Sequence, residues 1–199
     1  DFCLSRGLGD VYKRQIIPRD YEKIERTVVD LYKSLNIRSV PINPYDVAVK
    51  CGYKLVPFSS LKAEAREFLR TREISGASIK KENVFNIYYD NAQMERRQRF
   101  TIMHEIGHIK LGHKEDSVYA EKCANHFASY ALAPSSLIMK FGCEDFIDVA
   151  EKFHVSDECA ILAFDRYQRW ANFSYGIRPY ETNLNNMVAV SYTHLTLPT

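Results

Sequence analysis

The pentapeptide His104-Glu105-Ile106-Gly107-His108 constrains this chain more than any other feature, because its chemistry depends on a helix beneath it. On a helix the two imidazoles stand one turn apart on a shared face, with Cβ atoms roughly 6 Å apart. That is close enough for two ring nitrogens to hold one Zn²⁺ at about 2.0–2.1 Å. Glu105 is rotated off the metal position by one residue and can reach a water there, which is where a general base belongs. The surrounding sequence must therefore supply a long helix and a further ligand. Asn91 to Leu111 reads as one helix of about five turns, stopped at Gly112 by a left-handed cap.

A catalytic zinc usually takes three protein ligands and a water. Glu121 is the best third candidate, in Glu121-Lys122-Cys123-Ala124-Asn125 on the next helix. Ala124 permits close helix approach, and Asn125, four residues after Glu121, lies on the same face. Its amide oxygen can accept the remaining N–H of a ligating histidine and fix its tautomer. Glu115 and Asp116 fall in the connection and are less suited. His113 stands nine residues after His104, out of register with the longer zinc-peptidase pattern in which a third histidine follows the first by ten. It reads instead as a residue just past the helix C-terminus, interacting with the dipole. His126 is a candidate for orienting substrate or a plain helix residue. Tyr119, His126 and Tyr130 are candidates for stabilising an oxyanion.

The rest of the chain frames this pair of helices. Pro18 to Asn36 is an amphipathic helix, with Tyr21, Ile24, Val28, Val29, Leu31 and Tyr32 at helical spacing. Pro41-Ile42-Asn43-Pro44 is a proline-framed turn into a short helix ending near Gly52, and Tyr53 to Pro57 is a strand. Lys62 to Glu73 fits a helix or a mobile connection. Gly76 to Lys80 and Val84 to Tyr89 form a β-hairpin around Lys81-Glu82-Asn83. After the zinc-motif helix come helices at about Ser117 to Leu132, Ser136 to Phe141, Glu144 to Phe153 and Ser156 to Phe173.

Composition narrows the function classes. With 199 residues, 46% of them hydrophobic, the chain has material for one well-packed core. A net charge of +2 is too mild to form a phosphate-tracking surface by itself. No apolar stretch of about 18 residues occurs, so no membrane partner is expected and the protein is expected in the cytoplasm. Cys3, Cys51, Cys123, Cys143 and Cys159 are odd in number and scattered, which suits free thiols in a reducing compartment. Asp1 to Gln15 and Ser191 to Thr199 carry neither helix nor strand period and resemble translated adapter or vector sequence. The expected organisation is a non-native or disordered tail over 1–15, a zinc metallopeptidase domain over 16–175 and a C-terminal tail over 176–199.

Arg97-Gln98-Arg99-Phe100-Thr101-Ile102-Met103 leading into the pentapeptide, with Glu121-x-x-Ala124-Asn125-x-Phe127-Ala128 ending near Pro134, resembles the ImmA/IrrE family of metallopeptidases. More loosely the resemblance runs from about Pro41 to Tyr167. It implies an α+β, zincin-like minimal metallopeptidase domain, with a small antiparallel sheet packed on the motif helix and additional C-terminal helices. It also implies a zinc endopeptidase that inactivates a helix-turn-helix repressor or similar transcription regulator. His104, His108 and Glu121 match the family's metal ligands, and Glu105 its catalytic glutamate. The short connection between His108 and Glu121 implies a pocket rim unlike that of longer members.

On this reading the strand Val84 to Tyr89 holds substrate backbone as an added strand, with Val84, Asn86, Tyr88 and His126 as substrate-binding candidates. Three other readings compete. Ile147 to Phe164 has helix-turn-helix spacing, but its second helix opens on Asp157 and Glu158, the wrong charge for phosphates, so no direct nucleic acid contact is expected. A metal-bearing binding or sensor protein with little turnover, and a non-peptide amidase, would share the zinc residues and differ in product.

Overall fold

The computed structural model describes residues 18–115, 117–173 and 176–188. The opening amphipathic run is α1 (Pro18–Leu35), whose stripe of Ile24, Val28, Leu31 and Tyr32 is buried. The Tyr32 hydroxyl donates to the Ala131 carbonyl at 2.6 Å, so this helix is fastened to a helix a hundred residues on by its buried polar tip. The proline-framed turn leads into α2 (Pro44–Lys50), where the Asn43 side chain caps the first turn by accepting the Tyr45 N–H. Next come β1 (Lys54–Pro57), α3 (Ala63–Thr71), β2 (Gly76–Lys81) and β3 (Val84–Tyr89). The segment read as helix or mobile connection is thus helical, although none of its residues is buried.

β2 and β3 form the expected antiparallel hairpin, with Glu82 and Asn83 both left-handed (φ 47° and 69°) in a two-residue turn. The sheet order is β1-β3-β2, and β1 pairs with β3 in parallel, Leu55 opposite Ile87. The small sheet is therefore mixed, where an antiparallel one was expected. Parallel neighbours need the chain to return between them: α3 leads from the end of β1 to the start of β2 at the same end of the sheet, and β2, antiparallel to both, makes the return.

The motif helix is α4 (Glu95–Leu111), which starts four residues later than the sequence reading placed it. Side chains hold the preceding turn. Asp90 accepts the Ala92 N–H at 3.0 Å, and the Gln98 amide donates to the Gln93 carbonyl at 2.6 Å. α5 (Val118–Leu132) follows, capped by the Ser117 hydroxyl, which accepts the Ala120 N–H. α6 (Ser135–Lys140), α7 (Phe146–Phe153) and α8 (Asp157–Phe173) complete the expected helices. Ala124, Phe127, Ala128 and Ala131 are fully buried, so α5 is the central helix of the core, with α4, α1 and α8 packed around it.

One boundary is corrected. The tail expected over 176–199 includes α9 (Pro179–Met187), packed against α1 and α6 with Tyr180, Leu184 and Val188 buried at four-residue spacing. Those three apolar residues form a stripe that polar neighbours dilute in the sequence. The non-native or disordered tail expected over 1–15 and the vector-like segment expected over 191–199 lie outside the described residues.

Candidate metal centre

α4 and α5 pack side by side, and their facing side chains meet at the mouth of a cleft of about 1420 Å³. His104, His108 and Glu121 each offer a ligand atom there, all within 4.8 Å of one another. The two Nε2 atoms lie 2.9 Å apart, with Glu121 Oε2 3.4 Å from His104 Nε2 and Oε1 3.1 Å from His108 Nε2. Two basic ring nitrogens and a carboxylate converging this closely are the donor set that suits Zn²⁺, so the residues fit the metal the sequence implied. Burial is the main influence on the His104 imidazole and pushes it below its ordinary value, against the opposing charge of Glu121 and the Asn125 hydrogen bond. A neutral ring is the ligating form.

The outer nitrogens are also engaged. His104 Nδ1 lies 2.9 Å from Asn125 Oδ1, the contact expected from the placement of Asn125 one turn after Glu121. His108 Nδ1 lies 3.1 Å from Nδ1 of His113, a partner that sequence reading did not assign. His113 lies outside the converging trio, and its place beyond the helix end comes from Gly112, left-handed at φ 69°.

Glu105 is buried beside the trio and lines the cleft. Against it lies the start of β2: a Cβ added at Gly76 would meet Thr101 Cγ2 at 2.4 Å and Glu105 Oε1 at 3.2 Å. Glycine there lets the strand approach the carboxylate. Sequence reading missed this role, whose only signal was a glycine opening a strand.

The substrate-binding candidates need correction. β3 is the central strand: Asn86 and Tyr88 are paired on both sides, and Val84 pairs with Lys81 at the hairpin end, away from the residues that line the cleft. The cleft is lined instead by Gly76, Ala77 and Ser78 of β2, the terminal strand. His126 does not line the cleft. It points to the other side of α5, 3.2 Å from Glu25 Oε1 and stacked near Tyr130. Tyr130 is buried in the core, and neither it nor Tyr119 is among the residues that line the cleft. The opposite cleft wall comes from the first turns of α8, including Asp157, Glu158 and Leu162.

A family model described as Peptidase_M78, IrrE N-terminal-like domain, matches residues 61–163, just over half of the chain. The match runs from just before α3 into α8 and includes His104, Glu105, His108, His113, Glu121 and Asn125. No curated protein matches the chain.

Proposed function

Since the chain belongs to the IrrE N-terminal-like metallopeptidase family, we propose that it is a zinc-dependent endopeptidase cutting a regulatory protein, a helix-turn-helix repressor being the substrate its resemblance favours. The observation that carries this reading is the convergence of His104, His108 and Glu121 beside the Glu105 carboxylate in an open cleft. His104, His108 and Glu121 would hold the metal, and Asn125 would orient His104. Zinc in such a set supplies Lewis acidity, polarising a carbonyl oxygen and acidifying water.

Everything else falls to the chain's own groups. Glu105 takes the proton of the attacking water and returns it to the leaving amine, at Oε1 or Oε2 of a carboxylate shielded from bulk solvent. An extended substrate segment pairs along the open edge of β2, which sets its backbone in register with Glu105. Side-chain selection then rests with the α8 wall, where acidic residues adjoin Leu162.

The test is fragment mass spectrometry after incubating zinc-loaded protein with candidate repressors, alongside Glu105→Gln. One defined internal cut, absent with the variant and with chelator, supports the reading. Intact repressors and release of a small acid from amide substrates would move it to a non-peptide amidase.

A further inference from the structure

The two histidines of the trio are oriented from different elements. Asn125 of α5 serves His104, whereas the group facing the outer nitrogen of His108 is His113, five residues later in the same segment. We propose that His113 is a positioning residue of the metal centre: its Nδ1 accepts the Nδ1–H of His108 and so reserves His108 Nε2 for the cation.

Three observations converge on this. First, His108 Nε2 is the nitrogen inside the trio, 2.9 Å from His104 Nε2 and 3.1 Å from Glu121 Oε1, so its Nδ1 is the one that must carry the proton when Nε2 binds a metal. Second, that Nδ1 meets His113 Nδ1 at 3.1 Å, with the rings edge to face at 77° and 5.0 Å between centroids. The contact of the two rings thus runs nitrogen to nitrogen at hydrogen-bond distance. Third, the placement is built into the backbone. Gly112 turns left-handed, and the His113 N–H then donates to the His108 carbonyl at 3.1 Å. Backbone and ring of His113 therefore both close on His108, so the helix cap doubles as the orienting device.

A tautomer follows for His113 itself. With Nδ1 accepting, its proton sits on Nε2, and His113 is spent as a third nitrogen ligand. This explains chemically why a histidine so near the trio is not one of its members.

The role rests on reading His104, His108 and Glu121 as metal ligands, and the test separates the two. Zinc affinity is measured by chelator competition, and Co²⁺ absorption reports ligand geometry, for wild type, His113→Ala and His113→Asn. Asparagine keeps an acceptor oxygen at the position of Nδ1. Metal-free melting temperatures are recorded for all three. The expected result is a zinc affinity about 10–100-fold weaker for His113→Ala, with most of the loss recovered by His113→Asn and the metal-free melting temperature unchanged. Wild-type affinity in His113→Ala overturns the proposal, as does an asparagine variant as weak as the alanine one. So does a loss of affinity that tracks a drop in metal-free melting temperature, which would make His113 a fold residue only. A wild-type protein that binds no zinc removes the metal centre and this role together.

Discussion

α5 carries a histidine–glutamate contact on each of two faces, and the two differ in everything except that contact. On the front, Glu121 Oε1 lies 3.1 Å from His108; on the back, Glu25 Oε1 lies 3.2 Å from His126 of α5 itself. The back carboxylate is surrounded by protein donors. Tyr180 donates to Glu25 at 2.7 Å and Arg178 at 3.2 Å, while Arg166 donates to Ser129 and Ala133 nearby. Its charge is matched inside the fold, although Tyr130 Oη, Arg166 Nε and Glu181 Oε1 have no hydrogen-bond partner among the described residues. The front carboxylate is 49% exposed and meets two ring nitrogens with no cationic side chain in the trio. A perturbed histidine beside a carboxylate is therefore weak evidence for a site; convergence of lone pairs at an open cleft is strong evidence. Every front residue lies within the family match, whereas Glu25, Arg166, Arg178 and Tyr180 lie outside it.

The comparison breaks most visibly at Glu105. Glu105→Gln should lower turnover by at least about 10²–10⁴-fold while zinc content is kept, because an amide cannot act as base. Unchanged turnover would remove the proposed mechanism. Exchanging the two glutamates tests the contrast itself. Glu121→Ala should release zinc with little change in metal-free stability, since an exposed carboxylate contributes little to folding. Glu25→Ala should do the reverse, retaining zinc but costing about 3 kcal/mol in denaturant unfolding. That figure is at the low end for broken buried pairs, because Arg178 can turn to water. A zinc loss in Glu25→Ala would mean that the two faces of α5 are one unit. Gly76→Ala should cost less, about 1–3 kcal/mol, through the clash with Thr101, and should impair turnover more than zinc binding by displacing the strand from Glu105. Equal turnover in that variant would show that the β2 edge gives way freely.

How far these features could be read from sequence depends on whether they are local. The motif helix, its glycine stop and the Glu121/Asn125 face follow from periodicity within one or two helices. The same arithmetic, taken one step further, would have placed His126 correctly: at 100° per residue Asn125 stands about 40° from Glu121 around α5, but His126 stands about 140° away. Strand order is different. Val84 to Tyr89 is the more apolar half of the hairpin because it is central, and only the distant β1 makes it so. A two-stranded reading leaves β3 with a free edge, but β1 fills that edge and the terminal strand on the cleft side is β2. At His113 the left-handed turn of Gly112 was legible, whereas the side-chain direction that brings its ring to His108 was not. The α9 stripe of Tyr180, Leu184 and Val188 is a local pattern, but the asparagines and other polar residues between its members weaken the helical period.

The smallest expected effect is a pH slope. Burial is the chief influence on His126 and lowers its imidazole below the ordinary value, assisted by the Arg166 charge and opposed by Glu25. On Glu25 burial acts upward, but the His126 contact, the Tyr180 hydroxyl and Arg166 outweigh it, so the carboxyl too ends below its usual range. Both groups then bind protons more readily in the unfolded chain. Their stabilisation is present above the unfolded pKa and is lost as pH falls, for His126 from about 6.5 downward and for Glu25 below about 4.3. Glu181, raised chiefly by burial, has the opposite sign: its contribution is present at low pH and lost as pH rises through its folded value. His126 and Glu181 thus act with opposite signs on this face, and only the His126 contribution differs between wild type and a variant at that position. His126→Gln keeps an N–H for Glu25 and removes the titration. It should flatten the decline of unfolding free energy between pH 7 and 5 by at most about 1.4 kcal/mol per pH unit. His104 and His113, also lowered mainly by burial, contribute to both proteins and cancel in the difference. An identical slope in the two would mean that His126 takes up its proton inside the fold. The back cluster would then resemble the front one in being able to accommodate a cation.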